Sequence, residues 1–214
     1  MRTGGTGLAL SRRTLLLAAG LWPAASWAQK KKPPAAAEPA ISAARTIAAG
    51  APLSVFLSRP PQGARLAIAR PDDPANAAIV VVEPRNTVPA LPTPGLAGTY
   101  ELRLTVEKDG TPAILLRQPL VTTEPGATLA APARVGRSQA LPVRGIGPNG
   151  EQDRVVLVPT DAAVDAEGPR FFPAENVEAV LEAPEQPGTY ELRYVMNAPV
   201  SGLRILARQN VVVE

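Results

Sequence analysis

The side chains able to do acid–base or cation chemistry in this sequence are carboxylates. Asp72 and Asp73 follow the apolar run LAIARP, and Asp161, Asp165 and Glu167 follow the similar run VVLVPT. Loops rich in carboxylate oxygen can hold Ca2+, and two carboxylates facing across a cleft can hydrolyse a glycosidic bond. The spacing here matches no established calcium loop, and Asp is favoured in turns because its side chain bonds nearby backbone. The plain reading is a pair of polar turns, with a Ca2+- or glycan-dependent site or hydrolase as the alternative. Composition excludes most other chemistry. There is no His and no Cys, which removes histidine triads, thiol chemistry and the usual zinc ligand sets. Met196 is the one Met after the initiator, so a Met-rich copper site is excluded. No Gly-rich loop follows a strand and opens a helix. We expect no enzyme, no catalytic residue, no cofactor and no metal.

The elements that must carry these loops are written twice. GTYELR occurs at Gly98–Arg103 and again at Gly188–Arg193, ninety positions later. Across residues 86–103 and 176–193, nine of eighteen positions are identical. Upstream, PLSVFL answers to ALPVRG, and downstream LLRQPLVT answers to LARQNVVV. The offset grows slightly along the chain, as single insertions in loops would cause. We expect two homologous domains, residues 41–124 and 127–214.

Each copy reads as all-β. TYELRYV alternates Tyr190, Leu192 and Tyr194 against Glu191 and Arg193, and Tyr100, Leu102, Leu104 and Val106 alternate against Glu101, Arg103 and Thr105. A period of two puts one face of a strand inward. IVVVE and RVVLVP are short apolar runs, as in strands covered on both sides. EKDGTP places Asp109-Gly110 between two strand patterns, a hairpin signal. Six or seven short strands per copy fit a β-sandwich. Gly-x-Tyr at the start of the penultimate strand resembles the tyrosine corner of immunoglobulin-like domains, with Tyr100 and Tyr190 as the corner residues. The pattern L-x-x-P-x-x-x-G-T-Y-E-L-R, followed by LARQ-x-VVV, is similar to immunoglobulin-like repeats of exported bacterial proteins, some of which accompany von Willebrand factor A domains. The Trp common in an early strand of such repeats is missing. What the resemblance implies is two tandem Ig-like β-sandwiches and an extracytoplasmic setting.

On the strand face opposite the core, Glu101 with Arg103 and Glu191 with Arg193 read as ion pairs on a solvated surface, worth roughly 0.2–1 kcal/mol. Arg117 and Arg208 belong to the same ladder. A recognition stripe is the functional alternative. Phe171 and Phe172 are adjacent in GPRFFPAE, and neighbours in a strand cannot both point inward. Either one is exposed as an anchor for a partner, or one packs in the core and the other against a domain interface.

The N-terminal residues read as an export signal over 1–28. Arg2, Arg12 and Arg13 precede the apolar TLLLAAGLWPAA, and SWA ends in small residues, which places cleavage after Ala28. SRRTLL resembles a twin-arginine signal, although Leu15 replaces the usual aromatic; general secretory export is the other route. Residues 29–40, rich in Lys, Pro and Ala, read as a disordered linker. The chain holds 22 basic and 19 acidic residues. Three of those arginines and no acid fall in the signal, leaving nineteen of each sign in the mature chain. A neutral mature chain gives no electrostatic footprint for nucleic acid, and no later segment is long and apolar enough to span a membrane. We expect a periplasmic, non-catalytic interaction or adaptor protein with an unidentified periplasmic or envelope partner, a structural spacer being the rival.

Overall fold

The computed structural model describes residues 38–214. The expectations for Arg12, Arg13 and Ala28, and for most of the 29–40 linker, lie outside the described residues. Among these there are sixteen strands and no helix. The first eight are β1 (Ala40–Ala43), β2 (Thr46–Ala48), β3 (Leu53–Ser58), β4 (Arg65–Ala69), β5 (Val80–Val82), β6 (Ala90–Leu91), β7 (Gly98–Lys108) and β8 (Thr111–Thr123). The second eight are β9 (Thr128–Ala130), β10 (Arg134–Val135), β11 (Ala140–Ile146), β12 (Arg154–Pro159), β13 (Arg170–Phe171), β14 (Glu178–Glu182), β15 (Gly188–Ala198) and β16 (Gly202–Val213).

The wiring is the same in both halves. A three-stranded sheet β1-β3-β6 faces a five-stranded sheet β2-β8-β7-β4-β5, and β9-β11-β14 faces β10-β16-β15-β12-β13 in the same way. The short β2 and β10 pair parallel to the last strand of their own domain, and the other neighbours are antiparallel. These are two tandem Ig-like β-sandwiches. Strict alternation builds each inner face: in β3, Leu53, Val55 and Leu57 are buried while Ser54, Phe56 and Ser58 are exposed. They meet Leu66, Ile68, Leu102 and Leu104 of the facing sheet in the first core. The second core repeats the plan with Leu141, Val143, Val155, Leu157 and Leu192. Each such side chain contributes about 1.5–3 kcal/mol on full burial.

Turns follow local chemistry. Asp109 and Gly110 have φ of 53° and 75°, the two positive values a type I′ hairpin needs. They join β7 to β8 with Lys108 opposite Thr111. Both domains also break register at one matching place, between Leu104 and Thr105 and between Tyr194 and Val195. An extra residue there on the partner strand increases local twist.

Three expectations need correction. Ala40 already pairs with Ser58, so the first strand begins inside the segment read as linker. RVVLVP is covered on both faces, with Val156 and Val158 in a separate small cluster under the β12–β13 loop. IVVVE is not, since β5 is a sheet edge and leaves Val81 54% exposed. The third and largest concerns the face carrying Glu101 and Arg103. Arg103 is 1% exposed and Arg193 2% exposed. Neither a solvated ion pair nor a recognition stripe describes them, because the loop after β4 or β12 folds back over that face.

Candidate functional site

The covering loops are the acidic ones, and each is organised around its buried arginine. Arg103 Nη1 donates to the carbonyl of Pro74, and Nη2 donates to those of Arg70 and Pro71 at 2.8 and 3.2 Å. Arg193 donates to the carbonyls of Thr160, Ala162 and Ala163 at 2.8–3.1 Å. In both domains Nε donates to the Glu two residues earlier, and that Glu also accepts from Arg117 or Arg208 on the neighbouring strand. The five fixed donors of a guanidinium suit such a cradle. The backbone carbonyls of the acidic loops therefore already surround a cation of the chain itself. Asp73 accepts from the backbone N–H of Arg70, an ordinary turn role, and Glu167 pairs with Arg170. Asp72, Asp161 and Asp165 are exposed. Among the described residues no three acidic side chains converge.

A second polar constellation escaped sequence reading altogether. Asp153 and Tyr194 are both fully buried in the second sandwich. Asp153 Oδ2 accepts from the Tyr194 hydroxyl at 3.0 Å and from the Gly150 N–H at 2.9 Å, and Oδ1 accepts from the Asn197 N–H at 2.9 Å. The Asn149 N–H donates to the Tyr194 oxygen at 2.8 Å. Burial pushes the Asp153 carboxyl above its ordinary 3.8, against the lowering effect of those bonds. Burial, followed by the nearby Asp153 charge, pushes the Tyr194 phenol up as well. Strand register identifies the counterparts in the first domain: Leu66 lies opposite Leu104 as Val155 lies opposite Tyr194. Leu104 thus stands for Tyr194 and Ala64 for Asp153, both apolar members of the first core. The polar pair was hidden because Tyr194 sits in phase with the core residues, and Asp153 reads as one more turn acid.

This cluster stands behind the junction of the two sandwiches. There the Gly95 N–H donates to the Pro199 carbonyl at 2.8 Å. Arg204, from β16, donates to the Gly95 carbonyl at 3.0 Å and to Glu124 at 2.9 Å. Small residues allow the close approach. A Cβ on Gly95 would lie 2.0 Å from the Ser201 hydroxyl oxygen, and one on Gly50 would lie 2.5 Å from the sulfur of buried Met196. Beside this contact runs a cleft of about 550 Å³. The first domain lines it with Pro52, Ala90 and Pro92, and the second with Asn149, Glu151, Gln152, Ala174 and Asn197.

The remaining residues singled out in the sequence lie elsewhere. The Tyr100 hydroxyl donates to the Leu96 carbonyl at 3.3 Å and that of Tyr190 to the Gln186 carbonyl at 3.1 Å, four residues back in each case. Phe171 packs against the second core. Phe172 is 36% exposed, and its carbonyl accepts from the N–H groups of Glu175 and Asn176. It stands two positions before Ala174, a residue of the cleft wall.

No family model matches the sequence, and no curated protein does. Solved structures similar to the chain include the FN1–FN3 domains of chicken CNTN1, at 8% identity over 81% of this chain and 63% of that one, with a TM-score of 0.30. The adhesin InvE of Yersinia pseudotuberculosis is 17% identical over 82% of this chain and 58% of its own, with a TM-score of 0.27. A two-domain fibronectin type III segment of chicken tenascin is 14% identical over 82% and 97%, with a TM-score of 0.30. The chain thus spans about three fifths of the first two.

Proposed function

We propose that the chain is an exported, non-catalytic adaptor that holds a protein partner in the periplasm. The observation carrying this reading is the use made of the acidic loops. Their carbonyl oxygens cradle Arg103 and Arg193, so the most chemistry-bearing loops of the sequence work as structural caps. With no His or Cys in the chain, no nucleophile–base pair of the usual kinds can be assembled. What is left to a partner is surface, and a sandwich pair fixed at a hydrogen-bonded junction offers a defined one. Of the adjacent pair, Phe172 is the one free to serve as an anchor, whereas Phe171 is committed to the core. Export rests on the basic, then apolar, then small-residue pattern ending at Ala28, with Arg12 and Arg13 as the twin-arginine pair.

Affinity capture from native periplasm tests this, with the chain from residue 29 onward as bait and mass spectrometry as readout. We expect one protein enriched repeatedly and weakened by Phe172→Ala. Recovery of the same proteins on an unrelated immunoglobulin-like bait would overturn the adaptor reading. A melting temperature that rises with Ca2+ and falls with chelator would return the acidic loops to an ion-binding role.

A further inference from the structure

We infer that the cleft at the domain junction binds a short, extended peptide segment of apolar and basic character, and so is the place where the partner proposed above is gripped. The inference rests on that protein-binding reading and gives it a location and a ligand chemistry.

Its volume, about 550 Å³, falls within the roughly 300–1,000 Å³ of ordinary ligand clefts. The two walls differ in kind. Pro52, Ala90 and Pro92 make one of them apolar, and the other sets the amides Asn149, Gln152 and Asn197 beside Ala174 and Pro199. A side-chain amide offers donors and an acceptor, and a peptide backbone presents one of each per residue. Several of these groups are free. Among the described residues nothing pairs with Nδ2 of Asn149, Nε2 of Gln152 or Oδ1 of Asn197.

Other ligand classes fit poorly. No aromatic side chain lines the cleft, so there is no platform on which a sugar or a nucleobase could stack. No Lys or Arg lines it either, so phosphate has no counter-charge. The one charged lining residue is Glu151, which favours Lys or Arg in the occupant.

The amide wall is held in place before anything binds. Asn149 Oδ1 accepts from the Gly147 N–H at 3.1 Å, and the Asn149 N–H donates to the Tyr194 oxygen at 2.8 Å. The Asn197 backbone is pinned by Asp153, and its Nδ2 donates to Gln152 Oε1 at 2.7 Å. Groups fixed in this way lose little freedom on binding. The fixing cluster is independent evidence for a site. Of two duplicated domains, only the one supplying the amide wall replaces Ala64 and Leu104 of the first core by Asp153 and Tyr194. A buried carboxylate is a poor device for stability alone, and departures from a well-satisfied core concentrate at functional sites.

The test is fluorescence anisotropy of the chain from residue 29 onward with labelled hexapeptides. One probe is built of Ala, Val and Pro with a central Lys, and a second carries Glu at that position. We expect saturable binding, with the Lys probe about tenfold tighter, the order expected of one charge contact near a surface. Ala174→Trp, at an exposed position of the wall, fills the cleft and lowers affinity at least tenfold at an unchanged melting temperature. If that variant unfolds, Gln152→Ala replaces it and is expected to weaken binding. Equal binding by wild type and filled variant overturns the site. So does absence of peptide binding while periplasmic capture still recovers a partner, an outcome that leaves the adaptor reading standing. Failure of both peptide binding and capture overturns both.

Discussion

Arg193→Met removes a guanidinium that is 2% exposed and donates to three loop carbonyls and to Glu191. Charge-assisted hydrogen bonds contribute about 1.5–3 kcal/mol each, though not additively. Breaking a buried ion pair by removing one partner costs about 3–5 kcal/mol. Two features pull the figure toward the lower end. The freed carbonyls belong to a loop that water can reach, and Glu191 keeps Arg208 as a partner. We expect a loss of about 3 kcal/mol, which for a domain of under a hundred residues is roughly 12–24 °C in Tm. Arg193→Lys keeps the charge without the fork and should cost about half as much. Arg208→Met is the control. Its side chain is 52% exposed, so the loss should be below about 1 kcal/mol. The assay is urea unfolding followed by circular dichroism, with Arg103→Met as a replicate in the other domain. If Arg193→Met and Arg103→Met cost no more than Arg208→Met, the argument that these arginines organise the acidic loops is refuted.

Asp153, whose carboxyl is pushed up from its ordinary 3.8 by burial, binds its proton more tightly folded than unfolded. Its contribution to stability is complete below about 3.8 and is lost as pH rises through the higher folded value; urea midpoints across that range should fall with pH in the wild type, and this component should vanish in Asp153→Asn. Gly95→Leu places a side chain where a Cβ alone would lie 2.0 Å from the Ser201 hydroxyl oxygen. It should separate the sandwiches without unfolding either, seen as an increased radius of gyration in small-angle scattering and two melting transitions in place of one. Tyr190→Phe should cost about 0.5–1.5 kcal/mol in thermal unfolding through its lost bond to Gln186. Tyr100→Phe should cost less, because the Leu96 carbonyl it bonds also accepts from Thr122 at 2.7 Å.

Much of the fold was legible because its signals are local. The alternation in β3 and β7, the Asp109-Gly110 turn and the repeated GTYELR each depend on residues close in the chain. What could not be read is long-range. The outward phase of Arg103 was correct, yet nothing in the period-two pattern shows that residues 70–74 return to cover that face. The covering segment, RPDDP, has no apolar pattern of its own and holds the sheet through backbone carbonyls. The Asp153–Tyr194 pair was missed for a related reason, since a core-phase tyrosine and a turn aspartate look ordinary until they meet across 41 residues. The cleft, assembled from loops of both domains, has no contiguous sequence signature.

The junction also bears on how far such an architecture can grow. A contact between unlike faces of homologous units is heterologous, and repeated from unit to unit it builds an open filament. The far end of the second sandwich is the counterpart of the surface by which the first one docks. The N–H of Ser138 donates to Pro184 O as that of Gly50 donates to Pro94 O, and Arg137 N–H donates to Glu214 O as Ala49 N–H donates to Thr123 O. At this end, however, Ser138 and Glu185 stand where the junction uses Gly50 and Gly95. A further unit arriving by the same geometry would meet a serine and a charged glutamate side chain where close contact requires glycine. The stacking contact is thus written into one face only: the glycines that permit it on the first sandwich have no counterpart on the matching face of the second.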